Sequence, residues 1–173
     1  MTARLDCGAF ILRGWEDADR DSLVAQANNR NVWRNLRDRF PHPYTGNDAE
    51  AWLALARAQP DWLNWAIVVE GAAVGGIGLE PLTDVHAGTT HIGYWLGEPF
   101  WGRGLATEAL RGATDYAFTT FDICRLEAGV FEWNPASARV LEKAGYTLEG
   151  RARLAVVKDG RTGDRLQYAL VRP

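Results

Sequence analysis

The middle of the chain carries a glycine-rich turn, WGRGLAT at residues 101–107, between a strand-like segment and a helical one. A strand that leads through a tight turn into an amphipathic helix is a building block of α/β folds. Glycines at 102 and 104 permit positive φ, so backbone N–H groups and the helix dipole can converge on one anion, most naturally a diphosphate. The alternative is a turn that needs glycine only for its shape. Neither the P-loop pattern nor G-x-G-x-x-G is present at this turn.

Hydrophobic periodicity places strands on both sides of this turn. Strands are predicted from alternating or continuous apolar runs at 10–13, 65–69, 73–79, 89–96 and 125–130. A Glu70-Gly71 turn joins the second and third of them. A last hairpin is predicted from 146–157 and 164–171, around the turn KDGR at 158–161.

Helices are predicted between these strands. The pattern favours a helix over 17–28, another after a capping-box-like Asn47 and Glu50, and one that starts at Asn134-Pro135 and ends at Gly145. The helix after the glycine-rich turn carries an apolar stripe of Ala106, Leu110, Ala113 and Ala117. The stretch 31–45 reads as irregular because prolines break it. The order of elements predicts an α/β domain with a mixed sheet.

Composition limits the function classes. The 173 residues contain 47% hydrophobic residues and no linker-like tract, which predicts a single domain over 1–173. A formal net charge of 19 − 22 = −3 without a basic stripe disfavours nucleic-acid or membrane partners. Cys7 and Cys124 are not spaced for a metal site or a disulfide framework. Without a signal peptide or a long apolar run, the chain is predicted to be soluble and cytoplasmic.

Two linked motifs indicate a family. HIGYWL at 91–96 with WGRGLATEAL at 101–110, followed by NPAS at 134–137 with LEKAGY at 141–146, resembles the GCN5-related N-acetyltransferase (GNAT) family. The closing LEG at 148–150, KDGR at 158–161 and Asp164 are similar to the branch that includes the ribosomal-protein N-acetyltransferases of the RimJ/RimL type. The order and spacing of the motifs are more specific than either motif alone.

The resemblance implies a GNAT-like fold and an enzyme that transfers acetyl from acetyl-CoA to a primary amine. Its sheet would be mixed, mostly antiparallel and flanked by helices, with central strands that splay to admit coenzyme A. The backbone N–H of Leu96 would polarise the thioester carbonyl, and Asn134 would bind the pantetheine arm or serve as an ordinary N-cap. The residues implied in cofactor binding are Tyr94, Trp95, Leu96, Trp101, Gly102, Arg103, Gly104, Leu105, Ala106, Thr107 and Asn134.

The chain departs from the family at the general acid. Many members place a tyrosine where this chain has Leu141, and leucine cannot protonate a thiolate. Ser137, on the first turn of the same predicted helix, is the nearest hydroxyl, and its alternative role is to cap that helix. The general signature begins with Gln or Arg where this chain has Trp101, but Trp is usual in the branch it resembles.

A second departure concerns the general base. The family often carries a glutamate where this chain has His91, which could also be an ordinary half-buried histidine. A neutral imidazole, with a pKa of about 6.5, suits an α-amine (about 8) better than a lysine amine (about 10.4). Glu80, at the end of the preceding strand, is the other candidate base if it is desolvated.

The acceptor wall is predicted from the irregular stretch at 31–45. Its candidate substrate-binding residues are Trp33, Arg34, Asp38, Phe40 and Tyr44. Asp38 could attract a cationic amine and Arg34 could hold a carboxylate, unless both lie on an ordinary solvated loop. The acceptor is a peptide N-terminus or a small-molecule amine, and an edge strand could pair with a second copy. The alternative function is a non-catalytic sensor or scaffold that binds coenzyme A.

Overall fold

Eight strands form one sheet in the computed structural model, which describes residues 4–60 and 63–172. The strands are β1 (Leu5–Asp6), β2 (Ile11–Arg13), β3 (Asn64–Val69), β4 (Ala72–Pro81), β5 (Thr89–Leu96), β6 (Arg125–Phe131), β7 (Thr147–Lys158) and β8 (Arg161–Val171). Their spatial order is β1-β2-β3-β4-β5-β6-β8-β7. The mixed α/β architecture expected from the sequence is therefore confirmed.

Helices cover both faces of the sheet. They are α1 (Arg20–Ala27), α2 (Arg30–Trp33), α3 (Gly46–Ala58), α4 (Leu105–Thr120) and α5 (Pro135–Lys143). On one face Leu110 of α4 and Leu141 of α5 are fully buried in the same apolar core as Leu126 of β6. On the other face Leu23 of α1 and Leu53 of α3 form a second core with residues of β3 and β4. Burial of these stripes explains why the apolar periodicity predicted the elements.

One strand pair breaks the antiparallel pattern. β5 and β6 run parallel and pair at only three positions, Thr89 with Arg125, Thr90 with Leu126, and His91 with Glu127. All other neighbouring strands are antiparallel. Beyond His91, β5 stays paired with β4 and β6 stays paired with β8, so the two central strands diverge. The expected splay of the central strands is thus confirmed.

Both predicted hairpin turns are present. Glu70 and Gly71 have φ of 49° and 84°, and Asp159 and Gly160 have φ of 53° and 73°. Two consecutive residues with positive φ define a type I′ turn, whose twist matches that of the flanking strands. Within the described ranges, no helix combines the length and apolar character needed to cross a membrane.

Two local predictions were wrong. The capping box of α3 uses Thr45 and Asp48 rather than Asn47 and Glu50: the Asp48 N–H donates to the Thr45 hydroxyl at 3.3 Å, and the Thr45 N–H to the Asp48 carboxylate at 2.8 Å. The segment predicted to be irregular from residue 31 overlaps the helix α2, which ends at Trp33. Asn29 stabilises this helix because its side-chain oxygen accepts from the first free N–H groups.

Candidate active site

The divergence of β5 and β6 opens a large cleft in the centre of the molecule. The cavity measures about 1500 Å³ and is lined by β4, β5, β6, the 101–107 turn and α5. The three predicted catalytic residues, His91, Ser137 and Glu80, all line it. Residues from distant parts of the sequence therefore meet in one space.

The glycine-rich turn forms one end of the cleft. Gly102 and Gly104 have φ of 74° and 79°, and Gly104 is the N-cap of α4. A Cβ at either position would meet no atom within 4 Å, so glycine is required by the backbone conformation and the turn faces open space. The first helical bond of α4 is donated by Glu108 to the Gly104 carbonyl. The N–H groups of 105–107 therefore lie outside the helical ladder and can hold a diphosphate.

Trp101 fixes this turn to the end of β5. Its indole N–H donates to the carbonyl of Leu96 at 2.7 Å. The sequence placed Trp101 at the cofactor site but did not indicate this bond, which depends on how the turn folds back. Arg103 is the only predicted cofactor residue that does not line the cleft, since its guanidinium lies over the ring of Phe100 at 5.1 Å.

The free edge of β5 presents backbone groups to the cleft. The Gly97 N–H points toward β4 and donates to the Val74 carbonyl of that strand at 2.8 Å. The backbone N–H and C=O groups of successive residues point to alternate sides of a strand. Those of Tyr94 and the N–H of Leu96 therefore point away from β4, toward the space from which β6 has diverged. The Leu96 carbonyl accepts from Trp101, while the Leu96 N–H is a donor that can bind a ligand carbonyl.

Ser137 is hydrogen-bonded to Tyr94, a contact that the sequence did not predict. The hydroxyl groups of Ser137 and Tyr94 lie 2.8 Å apart, and the Tyr94 hydroxyl also lies 3.1 Å from the Ser137 carbonyl oxygen, to which it can donate. Burial raises the pKa of Tyr94 far above its ordinary value, which keeps the phenol protonated. The Ser137 N–H donates to the side chain of Asn134 at 3.3 Å, so Asn134 does cap α5 through its oxygen.

His91 contacts a carboxylate on the neighbouring strand β6. Its Nε2 is 2.8 Å from a carboxylate oxygen of Glu127 on β6, and Glu127 also accepts from Arg125 at 2.9 Å. A carboxylate can only accept, so Nε2 carries the proton and Nδ1 of the neutral ring is left as a proton acceptor. Nothing in the sequence pattern indicated that Glu127 would orient His91.

Glu80 lies opposite His91 on the other neighbouring strand. Its side chain is 54% exposed and lies 3.6 Å from the guanidinium of Arg37. The desolvated setting on which its predicted role as a base depended is therefore absent. Of the two candidate bases, His91 is the less exposed, at 35%, and is held by Glu127.

The predicted acceptor residues separate into two groups. Phe40 and Tyr44 line the cleft, and the ring of Phe40 lies 5.1 Å from that of Tyr44 and 5.4 Å from that of Trp95. Burial raises the pKa of Tyr44 to about 12. Gly93 lies between His91 and Trp95 on the same face of β5, and open space above it leaves a flat floor for an acceptor.

Trp33, Arg34 and Asp38 lie outside the lining of the cleft. The ammonium group of Lys158 is 2.7 Å from Asp38 and 3.8 Å from the centre of the Trp33 ring. The charge of Asp38 is thus neutralised by Lys158, so Asp38 is poorly suited to attract an amine as predicted. Arg139 and Lys143 of α5, which the sequence did not single out, bring positive charge to the cleft.

Comparison with known proteins agrees with this geometry. The family model described as "Acetyltransferase (GNAT) domain" matches residues 9–147. YjcK of Bacillus subtilis (strain 168), named "Probable N-acetyltransferase", is 45% identical over 85 residues, which is 49% of this chain and 47% of the relative. The [Ribosomal protein uS5]-alanine N-acetyltransferase of Escherichia coli (strain K12) is 33% identical over 100 residues, 56% of this chain and 52% of the relative. The chain thus spans about half the length of these curated relatives.

A solved structure shows the same fold over the whole chain. RimL, the ribosomal L7/L12 α-N-protein acetyltransferase in complex with coenzyme A, superposes with a TM-score of 0.83 over 98% of both chains at 21% identity. At this identity the likeness concerns the fold alone.

Proposed function

Because the chain belongs to the GNAT acetyltransferase family, we propose that it transfers the acetyl group of acetyl-CoA to a primary amine. The observation that carries the proposal is the cleft between β5 and β6. This cavity brings together the backbone amides of the 101–107 turn, the unpaired edge of β5 and the imidazole of His91, which Glu127 orients.

The residues of the cleft fit coenzyme A group by group. The amides of the 101–107 turn and the start of α4 hold the diphosphate, and Arg139 and Lys143 supply positive charge nearby. The edge of β5 pairs with the pantetheine amides as an added strand would. When bound, acetyl-CoA supplies a thioester carbonyl as the acyl donor. The Leu96 N–H would donate to that carbonyl oxygen and would stabilise the charge that develops there.

His91 accepts the proton of the attacking amine. Its Nδ1 is the free acceptor, while Glu127 holds Nε2–H and stabilises the ring when it becomes charged. A base of this kind suits an amine with a pKa of about 8 better than one of about 10.4. The acceptor is therefore an α-amine, as in a peptide N-terminus or a small amino compound. A peptide N-terminus is supported as the acceptor by the E. coli relative, whose name gives an alanine of ribosomal protein uS5 as its substrate.

We further propose that the protein works in the cytoplasm and can form a homodimer through β7. This strand ends the sheet, spans 12 residues and exposes Leu148 and Leu154 by 49% and 71%. A long exposed edge with apolar side chains favours pairing with another copy. Light scattering that finds only monomer at micromolar concentrations would contradict the dimer.

The test of the function is amine-dependent release of the coenzyme A thiol. We expect release with α-amino peptides and little with blocked peptides. The His91→Gln variant should lower the rate about 100-fold or more, in the range of general-base catalysis, while calorimetry finds its affinity for coenzyme A unchanged.

The alternative function is a non-catalytic sensor that binds coenzyme A. Amine-dependent thiol release would exclude it. Leu141, which occupies the position of the usual tyrosine acid, is the observation that favours it. Tight binding of coenzyme A without thiol release, across free amino acids, polyamines and peptides, would establish the sensor and contradict catalysis.

A further inference from the structure

A second cavity lies outside the cleft, between α2, the segment after β6 and the β7–β8 turn. It measures about 360 Å³ and is lined by Arg30, Asn31, Arg34, Trp133, Lys158, Asp159 and Arg161. Four of these side chains are cations, and a single one is an anion. We call this space the cationic pocket and define it by Arg30, Arg34, Lys158 and Arg161.

The charges of the cationic pocket are only partly balanced. Arg30 pairs with Asp159 at 2.5 Å, and Lys158 pairs with Asp38 at 2.7 Å. Across residues 4–60 and 63–172, neither Arg34 nor Arg161 forms an ion pair with a carboxylate. Two guanidinium groups without a carboxylate partner give this small cavity a positive potential, which favours an anion.

Two indoles give the cationic pocket a rigid frame. The Trp133 N–H donates to the carbonyl of Arg34 at 3.2 Å, and the guanidinium of Arg161 lies over the Trp133 ring at 4.9 Å. The ammonium group of Lys158 lies 3.8 Å from the centre of the Trp33 ring, and the Lys158 side chain is only 3% exposed. Cations held against aromatic rings in this way lose little further freedom when an anion binds.

The cationic pocket shares a wall with the acceptor side of the cleft. Phe131 lines the cleft, Trp133 lines the pocket, and their ring centres are 5.1 Å apart. In the same way Val157 lines the cleft and the next residue, Lys158, lines the pocket. A molecule that reaches from His91 along this wall can place a second group among the cations.

We propose that the cationic pocket binds an anionic group, a carboxylate or a phosphate, that the acceptor amine carries elsewhere in the molecule. Paired guanidinium groups suit both anions because they can donate two parallel hydrogen bonds. The acceptors would then be acidic amines, such as peptides with an acidic residue near the N-terminus. That the anion belongs to the acceptor amine rests on the proposed function. That the cationic pocket binds an anion does not depend on it.

Binding is tested with ¹⁵N-labelled full-length protein and inorganic phosphate or glutarate as the probe. The indole N–H signals of Trp133 and Trp101 are assigned from the Trp133→Phe and Trp101→Phe variants. We expect the Trp133 signal to shift and saturate with at least one probe, and the responding probe distinguishes phosphate from carboxylate. The Trp101 signal reports separately on the glycine-rich turn, to which its indole is bonded.

The double variant Arg34→Gln/Arg161→Gln should remove the Trp133 response. The matched control, Arg20→Gln/Arg57→Gln, changes the charge equally on α1 and α3, where both residues already pair with carboxylates, and should retain the response. A Trp133 signal that does not move, or that moves equally in the double variant, contradicts the anion site whatever the activity of the enzyme.

The acceptor role is tested with peptide pairs that differ only by Glu or Gln at the second, third or fourth residue. In wild-type protein kcat/KM should be about tenfold higher for the Glu peptide of the best pair, as expected for a charge-assisted contact. The double variant should lose this preference with an unchanged KM for acetyl-CoA. A Trp133 response without any Glu preference contradicts the acceptor assignment. A response in a protein that releases no thiol supports the anion site and contradicts the proposed function.

Discussion

The hydroxyl groups of Ser137 and Tyr94 decide how the cleft can protonate a departing thiolate. The Tyr94 phenol carries one proton and faces two acceptors, the carbonyl and the hydroxyl oxygen of Ser137. If that proton goes to the hydroxyl oxygen, the proton of Ser137 is free to reach the coenzyme sulfur. If it goes to the carbonyl, Ser137 donates to Tyr94 instead. We infer that in the first arrangement this pair takes the role of the tyrosine acid, for which this chain has Leu141.

This arrangement predicts graded losses in two variants. Ser137→Ala removes the donor and should lower kcat by about 10- to 100-fold, comparable to the loss of one donor to a developing anion. Tyr94→Phe keeps the serine hydroxyl and should cost less. Both are measured by thiol release, with coenzyme A affinity as the control. Wild-type turnover of Ser137→Ala would leave Ser137 only its place in the first turn of α5.

At the scale of elements, the junction of β5, the glycine-rich turn and α4 positions the cofactor site. Gly104 ends the turn with φ of 79° and is at the same time the N-cap of α4. The Trp101 indole ties the turn back to the last residue of β5. The strand edge and the helix N-terminus are thus held in a fixed relation, as a ligand with both an amide arm and a diphosphate requires.

Two substitutions at Gly104 separate backbone strain from ligand contact. Gly104→Ala should lower the free energy of unfolding by about 1 kcal/mol, because a Cβ disfavours positive φ. Gly104→Glu adds a carboxylate where the diphosphate would lie and should abolish acetyl-CoA binding by calorimetry. Chemical denaturation of both variants provides the control for folding. A folded Gly104→Glu protein with unchanged affinity would exclude this turn as the diphosphate site.

Across the whole molecule, the three tyrosines whose pKa is raised most link packing to pH. Burial raises the pKa of Tyr44 and of Tyr146 to about 12, and that of Tyr94 further. Tyr44 belongs to the core on the α1 and α3 face, and the other two pack on the face of α4 and α5. Loss of a proton from any of these phenols in the folded protein would leave a phenolate in an apolar core.

The free energy of unfolding should therefore fall as the pH rises from 10 to 12. In this interval the tyrosines of the unfolded chain, with an ordinary pKa of about 10, lose protons that the folded protein keeps. Each tyrosine lowers the stability by at most roughly 1.4 kcal/mol per pH unit, and the stabilising effect is complete below pH 10. Urea denaturation at pH 9, 10 and 11 measures this slope, which Tyr146→Phe should reduce. A stability that is flat over this interval would contradict it.

Local chemistry let the sequence determine the hairpins and the main helices. Glu70-Gly71 and Asp159-Gly160 define their turns because positive φ at two adjacent residues is a local preference. Asn134-Pro135 and Gly145 mark the ends of α5 for a similar reason. The start of α3 was predicted from Asn47 and Glu50, whereas its capping box is formed by Thr45 and Asp48.

The motifs of the glycine-rich turn and of α5 also let the sequence predict the family, and all of the predicted cofactor residues except Arg103 line the cleft. Partners far apart in the chain were decided only by the tertiary structure. Glu127 meets His91 across 36 residues, Tyr94 meets Ser137 across 43, and Lys158 neutralises Asp38 across 120. Such pairs depend on strand order and on the packing of loops over the sheet, which no local pattern of residues records.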